Sequence, residues 1–199
     1  MKSNVCKIVN GTKDLAAILA ESERVAEYNG LTHKQSLQLR LLCEEMDGML
    51  PNIIDDFEGD FWIEYDEGVC KVKATIKIAE FSANKKEELI AVAKDKKNAA
   101  AVGIVGKIRN AIQDFILAEE TCDAFDYASG SFHLSTGYCE GVDYSYLWSL
   151  EQYRSIVKPD VQADEWDELE KSVIASVADD VIVGINGRKA DIIIVKKFA

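Results

Sequence analysis

Proline and histidine are scarce in this chain, and cations are outnumbered. Only Pro51 and Pro159 occur in 199 residues, and no Pro/Gly/Ser-rich linker divides them, so one domain is expected rather than two. The five cysteines (Cys6, Cys43, Cys70, Cys122, Cys139) are odd in number, scattered and never spaced C-x-x-C. That pattern argues against a disulfide framework and against a zinc site, so no metal is expected. His33 and His133 are the only histidines, with no Ser-x-Gly elbow or partnered cysteine near them, so a nucleophilic triad is unsupported. No apolar run reaches about 18 residues, and no hydrophobic stretch follows Met1-Lys2-Ser3, so neither a membrane span nor an export signal is expected. A reducing cytoplasm fits these absences. With 23 Lys+Arg against 35 Asp+Glu the formal net charge is −12, which repels nucleic-acid phosphates and anionic lipid. Neither nucleic acid nor membrane is expected as a partner.

What is present is an ordinary globular composition with clear periodicities. A strand at Val5 to Val9 leads through Asn10-Gly11 to Thr12, whose hydroxyl suits a helix N-cap. Leu15, Ile18, Leu19, Ser22, Val25 and Ala26 share one helical face, and Asn29-Gly30 tolerates the left-handed conformation that ends a helix. Thr32 and Gln35 form a capping box for a second helix with the stripe Leu39, Leu42, Cys43, Met46, Leu50, which Pro51 ends or kinks. Phe61, Ile63 and Tyr65, the turn Asp66-Glu67-Gly68, and Cys70, Val72, Ala74, Ile76 and Ile78 predict a hairpin with one buried face. Two helices are expected near Lys85 to Ala93 and Val102 to Ala118, the second with Ile104, Ile108, Ala111, Ile112 and Phe115 on one face. Residues 121–143 lose periodicity, and helical patterns return at Tyr144 to Ile156 and Trp166 to Val177. Val181-Ile182-Val183, an Asn186-Gly187 turn and Ile192 to Val195 predict a closing hairpin.

The order strand, helix, helix, hairpin, variable helical region, helix, hairpin resembles the GHKL superfamily, the ATPase fold of histidine kinases, gyrase and Hsp90. Bacterial anti-sigma-factor serine kinases are the most similar group. The resemblance rests on A-E-Y-N-G-L-T-H-K-Q-S-L-Q-L-R-L-L-C-E-E-M-D-G-M-L from Ala26 to Leu50 and on V-I-A-S-V-A-D-D-V-I-V from Val173 to Val183. The middle of the chain does not align. The resemblance implies an α+β two-layer sandwich, with helices on one face of a mixed or antiparallel sheet that holds both hairpins. It implies one GHKL-like domain over 1–199 with a divergent lid-like region at about 85–165. It also implies ATP and Mg²⁺, through three motifs that are each altered here. Glu45 matches the water-activating glutamate, but Met49 stands where an asparagine should ligate Mg²⁺, and a thioether is a poor ligand for a hard cation. The alternative register, Glu44 with Gly48, supplies no ligand either. In place of D-x-G-x-G the chain has Ala79-Glu80-Phe81-Ser82-Ala83-Asn84, where Glu80 approximates the acid and both glycines are lost. Glu168 and Glu170 occupy the glycines of the phosphate-binding G-x-G, where two carboxylates would repel a triphosphate.

The segment Lys96-Lys97-Asn98 through Gly103, Gly106 and Lys107 offers free amides and cations at a helix start, which suits a nucleotide phosphate. It equally suits a helix whose small residues pack closely on a neighbour. Asp55, Asp56, Glu58 and Asp60 lack EF-hand spacing and suit a solvated acidic loop after the second helix. Tyr138, Tyr144, Tyr146, Trp148 and Tyr153 suit either a satellite core or a partner surface. Three functions are compatible with these residues. One is a degenerate regulator of anti-sigma type that works through a protein partner with little or no nucleotide binding. The others are a kinase-like regulator that still uses ATP, and an unrelated α/β small-molecule-binding domain.

Overall fold

The computed structural model describes residues 1–10, 15–54, 56–78, 104–109, 111–112, 145–157, 172–186 and 189–198. The expected Thr12 cap, the helix near Lys85 to Ala93, Phe115, the aperiodic 121–143 stretch and Gly187 lie outside them.

Helix α1 (Leu15–Tyr28) and helix α2 (His33–Ile53) follow strand β1 (Cys6–Val9). Ile18, Ser22, Val25 and Ala26 of α1 are buried as their spacing requires, and Gly30 takes φ +63° just beyond the helix. The capping box forms: Thr32 Oγ1 accepts from Gln35 N, while Gln35 Oε1 accepts from Thr32 N. The whole α2 stripe is buried, and Met49 and Ile53 extend it. Pro51 neither ends α2 nor stands outside it. The helix runs on to Ile53, because buried Leu50 and Ile53 hold the last turn and Ile54 N donates to Leu50 O.

Strands β2 (Phe57–Asp66) and β3 (Val69–Ile78) form the first hairpin. Glu67 (φ 44°) and Gly68 (φ 82°) make the two-residue turn, both in the left-handed region that this turn demands. Strand β4 (Ser145–Ser149) runs into helix α3 (Leu150–Val157), and after the short helix α4 (Val173–Val177) come β5 (Asp180–Asn186) and β6 (Lys189–Lys197). All six strands form one antiparallel sheet in the order β1-β2-β3-β6-β5-β4. Register explains the core. Phe61, Ala74, Ile192 and Val183 align across four strands, as do Ile63, Val72, Ile194 and Val181, and all eight are buried. The intervening residues, Glu58, Asp60, Glu64, Lys71, Lys73 and Lys77, stand on the other face. α1, α2 and α4 therefore share one hydrophobic core with the apolar sheet face. The architecture is α+β, with both hairpins in one sheet, as expected.

Three expectations change. Tyr144 to Ile156 is not one helix, because Ser145–Ser149 pairs with β5 and only Leu150–Val157 is helical. Ser149 Oγ accepts from Gln152 N and the Asp180 carboxylate accepts from Glu151 N, so the helix is capped where the strand stops. Trp166 to Val177 is not continuous either: Ser172 is extended (φ −70°, ψ 127°), and the helix begins after it. Glu58 and Asp60 are not loop residues. They lie in β2 and pair with Lys77 and Lys7 on neighbouring strands.

Candidate functional site

Helix α2 carries the only catalytic residue that the sequence offers. Glu45 is half-buried, and its carboxylate makes no hydrogen bond or ion pair among the described residues. Its neighbour Glu44 is tied to Arg40, which also reaches Glu23 on α1, so that acid serves the helix pair. Met49, one turn beyond Glu45, is 3% exposed and belongs to the core with Met46 and Leu50. The position that would need a metal-binding oxygen is thus filled by a thioether packed among hydrocarbon. Gly48 is exposed, and a side chain added there would touch nothing within 4 Å.

Of the phosphate candidates, Gly106 and Lys107 lie in helical residues 104–109, whereas Glu80, Lys97, Asn98 and Gly103 fall outside the described residues, as do Glu168 and Glu170. Ile104, Gly106, Ile108, Ala111 and Ile112 are buried, so this segment packs closely through its small and apolar residues. The Lys107 ammonium lies 5.5 Å from the centroid of the Tyr153 ring, a cation–π distance. Tyr153 in turn meets Trp148 at 6.1 Å, and Trp148 is 8% exposed. Trp148 is therefore part of the main core, with Tyr153 packed partly buried against it. Tyr138, Tyr144 and the side chain of Tyr146 lie outside what is described.

The structure reveals polar groups that sequence reasoning passed over. Glu21 is buried inside α1, where its carboxylate accepts from Asn4 N and Asn4 Nδ2, both at 3.1 Å, and from Arg24 at 2.7 Å. Its signal was its place between Ile18 and Val25 on the apolar stripe. On the outer sheet face Asp191 accepts from the Thr75 hydroxyl across the β3–β6 pair. Burial raises its carboxyl above the usual range, against the opposing pull of Thr75, Lys189 and Lys73. For Glu64, burial pushes up, but hydrogen bonds from Lys73 and Trp62 outweigh it and leave the carboxyl below its ordinary value. Trp62 itself has the Lys2 ammonium 4.6 Å from its ring centroid. Cys43 and Cys70 are buried thiols. Desolvation raises the first well above its usual value and pushes the second up to about 12, so neither is a nucleophile at neutral pH.

No family model matches this chain. No curated protein and no solved structure matches it either. Among the described residues, no group of three or more His, Cys, Asp or Glu side chains could hold a metal ion, and no helix is long and apolar enough to cross a membrane.

Proposed function

We propose that this chain is a degenerate histidine-kinase-type ATPase domain of the anti-sigma kind, which regulates by contact with a protein partner and does not turn over ATP. The observation that carries the reading is Met49, which is 3% exposed and locked in the core one turn after Glu45. Mg²⁺ demands oxygen ligands in near-octahedral geometry, and no oxygen can replace that thioether without opening the core. The consecutive helices α1 and α2 that span Ala26 to Leu50, and the antiparallel sheet that holds both hairpins, support this reading.

A ligand that binds only the native state must raise its melting temperature. The test is thermal unfolding of the full chain with millimolar ATP or ADP and Mg²⁺, alongside a phosphate-release assay. The expected result is an unchanged melting temperature and no release above the buffer blank. Hydrolysis in the wild type that disappears in Glu45→Ala would overturn the proposal.

A further inference from the structure

The first edge of the sheet points to a partner. In the β1–β2 pair Asn10 N donates to Phe57 O, and the register sets Ile8 against Gly59 and Cys6 against Phe61. Antiparallel strands exchange hydrogen bonds at alternate residues, so Lys7 and Val9 turn their amides and carbonyls away from β2. No hydrogen bond reaches those four backbone groups among the described residues. The side chains beside them are open as well: Val5 is 50% and Val9 43% exposed, and the Lys7 side chain is 72% exposed. An unpaired, exposed strand edge is a template for another strand.

Charge decides which strand. A two-fold pairing of two copies centred on Lys7 would set this lysine against its own copy, and like charges directly opposite destabilise a sheet pair. An extended segment with an acid opposite Lys7 reverses that sign. The existing Lys7–Asp60 contact at 2.6 Å is solvent-exposed on the lysine side, so sharing the ammonium with a second carboxylate costs little. Residues two before and two after that acid would lie on the same face as Val5 and Val9, which favours apolar side chains there.

Upstream the edge is shaped to limit how far such a strand can pair. Ser3 pairs with Ile63 and Cys6 with Phe61, so three steps on the edge strand match two on β2, which is a bulge at Asn4 and Val5. The buried Glu21 holds that bulge by accepting from both nitrogens of Asn4. We propose that β1 is a docking edge for an extended protein segment of the pattern apolar-x-acid-x-apolar, added as a seventh strand with its acid opposite Lys7. This takes up the protein-contact half of the function proposed above, but it rests on backbone groups and not on the nucleotide motifs, so either can fail alone.

The test is fluorescence anisotropy of the full chain with labelled seven-residue peptides, T-V-T-E-T-V-T and its central lysine counterpart, both blocked at the ends. The glutamate peptide should bind roughly tenfold more tightly than the lysine peptide, the scale of a cross-strand charge reversal. Lys7→Glu should invert that preference and Lys7→Gln should abolish it, with circular dichroism confirming that both variants fold. N-methylation of the peptide amides that would pair with β1 should remove binding, because the contact is a main-chain ladder. The proposal is overturned if neither peptide binds, if the preference survives in both Lys7 variants, or if the methylated peptide binds normally. Sedimentation that shows a dimer abolished by Lys7→Glu would overturn it too, since the edge would then belong to a second copy.

Discussion

Adding one methyl group to either of two glycines should shift stability in opposite directions. At Gly59 in β2, an added Cβ would lie 2.2 Å from the carbonyl oxygen of Thr75 and 3.0 Å from the Cα of Ile76. A carbon–oxygen contact needs roughly 3.2 Å, so one strand must move by about 1 Å, and the colliding atom is backbone rather than a flexible side chain. That strand sits between β1 and β3 with Phe57 and Phe61 buried on either side, so the shift is felt by the core. Overpacking of this kind costs about 1–3 kcal/mol. For a domain of this size it lowers the melting temperature by roughly 2–12 °C. Gly48 is exposed in α2 with nothing within 4 Å of its added Cβ, so alanine there meets no neighbour and only raises helix propensity. Gly48→Ala should therefore stabilise by roughly 0.5–1 kcal/mol. Thermal and urea unfolding of the two variants, followed by circular dichroism, measure both shifts in one experiment. If Gly59→Ala matches or exceeds the wild type, or if both variants move the same way, the close approach of β2 and β3 at this point is wrong.

Glu21→Leu removes the acceptor for both nitrogens of Asn4 and should destabilise by about 1–3 kcal/mol in urea unfolding, despite placing an apolar residue on an apolar stripe. In a Cys122→Ser, Cys139→Ser background, Ellman's reagent at pH 8 should modify neither Cys43 nor Cys70 until denaturant is added, because both thiols are buried and protonated. Fast labelling of either, mapped by mass spectrometry, contradicts that burial. Two acids of the outer sheet face, Glu64 and Asp191, should respond to pH with opposite signs. Glu64 titrates below its usual value when folded, so its contribution is full above the unfolded pKa and is lost as the pH falls through the folded one; Lys73→Met should weaken that acid dependence. Asp191 titrates above its usual value, so its ionisation opposes folding as the pH rises through the unfolded pKa and on past the folded one. Asp191→Asn should thus leave stability at pH 7 unchanged or raised, and a clear loss there in urea titrations from pH 3 to 7 would contradict the assignment.

Local periodicity was enough for much of this fold. The α2 stripe, the Thr32–Gln35 box, Gly30 and the alternation from Cys70 to Ile76 each depend on neighbours within a few residues, and each is present in the structure. Such features are legible because one turn or one strand repeat carries both the signal and its cause. Composition by itself likewise sets the formal net charge of −12.

What the sequence could not supply was held by residues far apart in the chain. Ser145–Ser149 is a strand because β5 lies beside it, and Leu150 starts a helix because Asp180 reaches across to Glu151. Glu58 and Asp60 leave the loop expected for them because Lys77 and Lys7 stand opposite on adjacent strands. At the candidate site, Met49 falls on the α2 stripe by its spacing from Leu42 and Met46, and the structure buries it to 3% exposure. Helix spacing around Lys107 carries no sign of Tyr153, whose ring lies 5.5 Å from its ammonium. The edge of β1, unpaired among the described residues, is the clearest case. Whether a backbone amide has a partner depends on which strand, if any, folds beside it, and only the tertiary structure decides that.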